Sequence, residues 1–308
     1  MRVLVTGAEG FVGGYLLRAL VEAGHEAIAA HRRGVPAHGP ADRSVVLELE
    51  ELDSVEAVAG EPFDAVVHLA AIASASAARS DPGLAWSVNA GGTARLADAI
   101  ARRRRSGHDP VFLFVSTGEV YGPGPETPRV EADPVRPVSA YAASKAGAEI
   151  AVAETARRTG LRCIVARPFT HTGPGQHPRY VTPAFAARLR EAKASGARTV
   201  ATGHLAPVRD LADVRDVARA YVALLERGRP GETYNVATGH GLTLTELFRR
   251  LASLIGTDAE PVLDPALARA ADIPYLVGDA TRLRQDTGWT PAIPLERTLR
   301  ELVDAQAH

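Results

Sequence analysis

At 308 residues the chain is long enough for one large α/β domain, or for a main domain with a smaller lobe. Hydrophobic content of 46% with 23% charged residues excludes a disordered or fibrous protein. A net charge of −1 and a sequence pI near 6.8 exclude a global field that would draw in nucleic acid.

The chain enters a strand at Arg2, which leaves no room for a signal peptide, and no apolar run approaches the ~20 residues of a membrane span. A cytoplasmic protein with no membrane partner and no metal is the expectation. Strands are predicted at 2–6, 26–31, 44–49, 64–69, 111–116 and 161–167, with helices near 11–23, 53–59, 84–104 and 139–158. Strands that alternate with helices pair in parallel through right-handed crossovers, so the expected fold is α/β, a doubly wound parallel sheet. Several of these strands are nearly continuous apolar runs, as burial on both faces requires. The basic run Arg102–Arg105 reads as a helix end that complements the dipole. Cys163, the one cysteine, lies in the run Leu161–Ala166 and reads as a small buried hydrophobe, so no disulfide can form within the chain.

After about residue 170 proline and glycine become frequent and the elements shorten. A helix at 181–193, a strand near 207–210, a helix at 213–227, a strand at 232–237 and helices at 243–255 and 295–306 are predicted. Residues 1–170 are read as the main domain, with later strands returning to it around 200–240, and 171–308 mainly as a smaller lobe over the carboxyl edge of the sheet.

Val3-Leu4-Val5-Thr6-Gly7-Ala8-Glu9-Gly10-Phe11-Val12-Gly13 spaces three glycines where a strand hands over to a helix. One glycine permits the tight turn, one lets backbone approach a pyrophosphate, and one lets helix pack on strand. The helix N-terminus then offers N–H groups and a positive dipole end, so Gly7, Gly10, Phe11, Val12 and Gly13 are candidate dinucleotide contacts. The second strand ends in Ala29-Ala30-His31-Arg32-Arg33, with no acid for a ribose 2′-hydroxyl. Guanidinium groups match a 2′-phosphate, so NADP(H) is favoured over NAD, with His31, Arg32 and Arg33 as contacts. The other reading of these arginines is a solvated loop. Glu48 and Leu49 are expected near the adenine, and His68-Leu69-Ala70-Ala71 on the nicotinamide side.

In Tyr141-Ala142-Ala143-Ser144-Lys145 a phenol and an ammonium share one helix face. A free phenol titrates at about 10, and moving it to 7 takes roughly 4 kcal/mol. A cation about 4 Å away at an effective dielectric near 20 supplies about that much, which predicts a tyrosine that exchanges protons at neutral pH. Taken alone, the spacing also suits an exposed tyrosine and a surface lysine. Val115-Ser116-Thr117-Gly118-Glu119-Val120-Tyr121-Gly122 follows the fifth strand, at the edge where open sheets bind ligands. A hydroxyl there can donate to a substrate carbonyl.

The glycine turn, His68-Leu69-Ala70-Ala71, the segment Ser116–Gly122 and Tyr141–Lys145 occur in an order and spacing that resembles the extended short-chain dehydrogenase/reductases, which act on nucleotide sugars. The resemblance covers essentially the whole chain and implies a Rossmann fold with a substrate-binding C-terminal lobe. It implies Thr117, Tyr141 and Lys145 as catalytic positions, with Tyr141, Lys145 and Arg167 also touching the cofactor. The C-terminal half is most similar to GDP-4-keto-6-deoxy-D-mannose reductases, through Arg167–Gln176, Val208–Asp216 and Asp272–Pro291. That family usually has Asn where this chain has Thr170, and an aromatic where it has Leu211.

A nucleotide diphosphate needs cations, and Arg209 and Arg269 are the candidates, with Arg179 a distant third. Arg209 could equally pair with Asp210 or Asp213. Thr170, His171, Thr117 and Glu119 complete the candidate substrate wall, although His171 could be a packed loop residue and Glu119 a loop brace. The reaction implied is NADPH-dependent reduction of a 4-keto-6-deoxy nucleotide sugar. A 4,6-dehydratase typically carries an acid pair after the threonine, and here Gly118 leaves that pair half missing. Epimerisation on bound NAD(P) and a non-catalytic dinucleotide sensor are the alternatives. By analogy, two copies would pair through the helices at 84–104 and 139–158.

Overall fold

A computed structural model describes residues 1–104, 107, 109–267 and 273–305 of the chain. In chain order the first part holds β1 (Arg2–Thr6), α1 (Phe11–Glu22), β2 (Glu26–His31), β3 (Arg43–Val46), α2 (Leu52–Ala59) and β4 (Ala65–His68). There follow α3 (Ala75–Ser80), α4 (Pro82–Trp86), α5 (Thr93–Arg103), β5 (Val111–Val115), α6 (Ala140–Thr159) and β6 (Arg162–Pro168). The rest comprises β7 (Thr170–Thr172), α7 (Val181–Ser195), β8 (Thr199–Thr202), β9 (Val208–Asp213), α8 (Val214–Arg227) and β10 (Thr233–Val236). Last come β11 (Gly241–Thr243), α9 (Leu244–Ile255), β12 (Glu260–Leu263), β13 (Tyr275–Leu276), α10 (Thr281–Thr287) and α11 (Leu295–Ala305).

Seven strands form one parallel sheet in the order β10-β6-β5-β4-β1-β2-β3. The winding reverses between β1 and β4, and that switch point opens a crevice at the carboxyl ends. Register sets Thr6 beside both Ala30 and His68, and His68 beside Phe114. Side chains alternate across the sheet. Val3, Val5, Val67 and Leu113 pack with α1 and α8 on one face, and Leu4, Val66, Phe112 and Phe114 with α2, α5 and α6 on the other. Both faces are covered, which is why these strands read as apolar runs.

The predicted helix at 84–104 runs through without a break, with a π-helical turn, Ser87–Gly92, between α4 and α5. Its wider backbone brings Gly92 against Leu49, where a Cβ would lie 2.9 Å from the Leu49 Cβ. Among the strands described after residue 170, β10 alone joins the large sheet. β9 pairs with β7, β11 and β13, and β8 with β12. A third core, around Phe185, Leu189, Phe248, Leu251 and Leu302, gathers α7, α9 and α11.

Three aspartates of the β9–α8 run fasten this lobe. Asp210 accepts from the amides of Thr238 and Gly239, both at 2.9 Å. Asp213 holds Arg215 and the Thr298 hydroxyl, each at 2.7 Å, and Asp216 accepts from the amides of Ala292 and Ile293 at 2.9 Å. No helix among the described residues is long and apolar enough to cross a membrane.

Candidate active site

The turn from β1 to α1 is shaped by missing Cβ atoms. Gly7 has φ +71°, and a Cβ there would meet the Ala70 backbone nitrogen at 2.8 Å. A Cβ on Gly13 would meet the Gly7 oxygen at 2.5 Å, so helix and turn touch at backbone distance. Gly10 starts α1 without a side-chain cap, which leaves the first N–H groups of the helix to the crevice. This cradle fits a dinucleotide pyrophosphate. Leu69, Ala70 and Ala71 are half-buried on the adjoining turn.

His68 is different. It has no exposed surface, and lies between Thr6 (2.7 Å to Nδ1) and Thr93 (3.0 Å to Nε2). The Thr93 hydroxyl donates to the Asn89 carbonyl, so its oxygen must accept the Nε2–H of His68. Burial first, and then Lys145, hold the His68 pKa down to about 3, so the imidazole is a neutral brace beneath the crevice rather than part of its wall. Asn89, on the π-turn, extends the brace. Its amide exchanges hydrogen bonds with Ile72 and donates to Ser144, whose hydroxyl donates to the Tyr141 carbonyl. Sequence reading missed Asn89, Thr93 and Ser144. The glycine pair Gly91-Gly92 inside a helical pattern was the available signal.

Ser139 caps α6 by accepting from the Ala142 amide at 3.1 Å, which starts the helix at Ala140, one residue before Tyr141. Lys145 is 3% exposed and lies 4.5 Å from the centroid of the Phe114 ring. Burial lowers its pKa to about 7 against the opposing pull of Glu149, so charged and neutral forms coexist at neutral pH. Tyr141 moves the other way. Burial, then the Glu119 carboxylate, raise the phenol above its ordinary value, and the Thr117 hydroxyl bonded to it only partly opposes them. The expected depression toward neutrality is therefore corrected: desolvation outweighs any help from the lysine. Tyr141 keeps its proton and can act as an acid, and the oxyanion left after donation is what needs Lys145. Tyr180, also missed, raises Tyr141 further and so stands in the same cluster.

Thr170 and His171 lie on β7, half-buried. His171 donates from Nδ1 to the Phe169 carbonyl at 3.0 Å, and burial lowers its pKa, which leaves Nε2 as an acceptor. Arg209 donates Nη1 to the carbonyls of Val208 (2.8 Å) and Ile273 (2.7 Å). Arg269 lies outside the described residues. Arg179 is exposed, with its guanidinium 5.4 Å from the Tyr180 ring centroid.

Arg167 is not placed as expected. It forms a double hydrogen bond with Glu149 (3.0 and 2.6 Å) and lies 4.8 Å from the Tyr121 ring centroid, 6% exposed. Its guanidinium is taken up in a buried ion pair with Glu149.

At the far end of the crevice Leu49 is buried against Gly92, and Glu48 is half-buried. His31 bonds through Nδ1 to the Arg32 carbonyl at 3.0 Å. Arg32 reaches Glu9 at 2.9 Å, and Arg33 reaches Glu51 at 3.0 Å and, through its amide, Glu48 at 2.8 Å. Both arginines are exposed, but each already meets a carboxylate.

Residues 3–237 match the NAD dependent epimerase/dehydratase family. The GDP-6-deoxy-D-mannose reductase of Pseudomonas aeruginosa is 35% identical over 309 residues, 98% of this chain and 96% of that protein. A solved structure of RMD from Pseudomonas aeruginosa complexed with NADPH has a TM-score of 0.83 at 33% identity, over 99% of this chain and 98% of the other. The Thermus thermophilus UDP-glucose 4-epimerase in complex with NAD gives a TM-score of 0.85 at 32% identity, over 99% of this chain and 98% of the other. With its glycine cradle, parallel sheet and tyrosine–lysine helix, the chain belongs to the NAD dependent epimerase/dehydratase family and is an NAD(P)-dependent oxidoreductase of the extended short-chain dehydrogenase/reductase type.

Proposed function

We propose that the chain reduces a nucleotide-linked 4-keto-6-deoxy sugar, of the GDP-4-keto-6-deoxymannose kind, with NADPH as the favoured donor. The bound dinucleotide supplies the hydride. Tyr141 gives its proton to the carbonyl oxygen, the Thr117 hydroxyl donates to the same oxygen, and the Lys145 ammonium stabilises the phenolate. Residues 1–170, with the returning strand β10, would hold the cofactor, and the lobe from 171 onward the nucleotide sugar. Exposed Leu84, Trp86 and Ile150 on α4 and α6 support pairing of two copies across these helices. Light scattering of an Ile150→Glu variant tests that pairing, with a monomer expected.

One observation carries reduction over 4,6-dehydration. A Cβ at Gly118 would stand 3.1 Å from three atoms of the Phe169 ring, so a carboxylate at that position would need the ring to give by a few tenths of an ångström. Glu119 is then a single acid where elimination calls for two. Redox-neutral epimerisation on bound NAD is the second reading, supported by the carboxylates that face Arg32 and Arg33 and by the likeness to a 4-epimerase.

The deciding experiment follows NADPH and NADH absorbance with purified protein and either GDP-4-keto-6-deoxymannose or its dTDP-linked analogue. Consumption of NADPH with the GDP sugar supports the reductase. No consumption of either donor with either sugar overturns it, and the next assay is then epimerisation without added cofactor.

A further inference from the structure

Glu9 sits inside the glycine turn, between Gly7 and Gly10. Its side chain is 10% exposed, Oε1 accepts from Arg32 Nε at 2.9 Å, and Oε2 is buried without a hydrogen-bond partner among the described residues. A buried carboxylate oxygen without a donor is costly, so the position is built for a donor that a ligand brings. Nearby, Arg33 is held by Glu48 and Glu51. Each guanidinium group therefore meets a carboxylate, a third carboxylate takes the Arg33 backbone amide, and the end of β2 is not the unopposed anion pocket that its arginines suggest. A ribose hydroxyl is a donor. A 2′-phosphate adds nearly two negative charges and competes with Glu9 for Arg32.

We propose that Glu9 is the residue that sets the choice between the two dinucleotides. Its open oxygen takes a ribose hydroxyl, and its charge holds back the 2′-phosphate by occupying Arg32. The wild-type chain then binds NAD+ and NADP+ with affinities within about tenfold of each other. The inference rests on the dinucleotide site alone and not on the sugar reaction, so either can fail without the other.

The test is isothermal titration of the purified full chain with NAD+ and with NADP+, no sugar present, for wild type and Glu9→Gln. The amide keeps the size of the side chain and removes the charge. The ratio of NADP+ to NAD+ affinity is expected to rise about tenfold, as Arg32 is released and the ribose hydroxyl loses a charged acceptor. A rise above about threefold upholds the assignment, and a smaller change or a fall overturns it. Glu9→Ser, judged by the same threshold, replaces the glutamine variant if that one does not fold. Adding Arg32→Ala should abolish the gain in NADP+ affinity. A gain that persists would overturn the role given to the Glu9–Arg32 pair.

Discussion

The two ends of the cofactor crevice treat charge in opposite ways. At the adenosine end Arg32 and Arg33 are each 67% exposed, and each is answered by a carboxylate. At the chemical end His68 and Lys145 are buried, in contact with the hydroxyls of Thr6 and Thr93 and the ring of Phe114, and the Glu149 charge also acts on Lys145. Water screens these two guanidinium groups, so a substitution of either arginine changes affinity and leaves the fold alone. Burial ties His68 and Lys145 to folding, because protonation and desolvation are no longer separable. Coenzyme choice is thus open to single changes, whereas reactivity is bound up with stability.

The strongest test of this contrast removes the Tyr141 hydroxyl. Tyr141→Phe is expected to lower turnover by about 10²–10⁴-fold while NADPH binding, measured by titration, stays within about twofold. Retained turnover would undo the assignment of Tyr141 as the acid. Next in size is Arg167→Met, which strands Glu149 half-buried without its cation. Urea unfolding should show a loss of about 3–5 kcal/mol.

A third test uses pH. Lys145 titrates near 7 in the fold against 10.5 for an unperturbed lysine, so between those values the unfolded chain binds the extra proton. Wild-type stability should therefore rise as pH climbs through that window, by on the order of a few kcal/mol, and Lys145→Met should flatten the rise in denaturant midpoints. A slope unchanged in the variant would place its origin elsewhere. The smallest effect belongs to Arg33→Met at the exposed end, expected within about 1 kcal/mol in stability. A larger loss would mean that the adenosine end is not the screened region described.

What could be read before the fold was known follows the same divide. Gly7 and Gly13 were legible because close backbone approach excludes a Cβ, a constraint local to the turn. Tyr141 and Lys145 were legible because one helical turn relates them. The direction of the Tyr141 shift was not, since burial and the neighbouring Glu119 come from packing, and spacing shows neither. Arg167 looked like a cofactor contact because an arginine that binds a ligand and one that binds Glu149 are the same letter, and the partner lies 18 residues away on another element. Glu9 was overlooked because an acid was sought at the end of β2, while the crevice takes its carboxylate from the neighbouring turn. Asn89 and Ser144 meet across 55 residues. Short strands such as β8 and β12 carry too few residues for a periodic pattern.

The aspartates of the β9–α8 run also set an order of events during synthesis. Asp210 finds its nearest amide partner 28 residues downstream, and Asp213 its threonine 85 residues downstream. At ~5–20 residues per second, Asp213 waits roughly 4–17 s for Thr298 to be made. The middle of the lobe therefore closes only when α11 arrives. A chain cut short before Thr298 would lose the fastening at the centre of the lobe, not merely a frayed end.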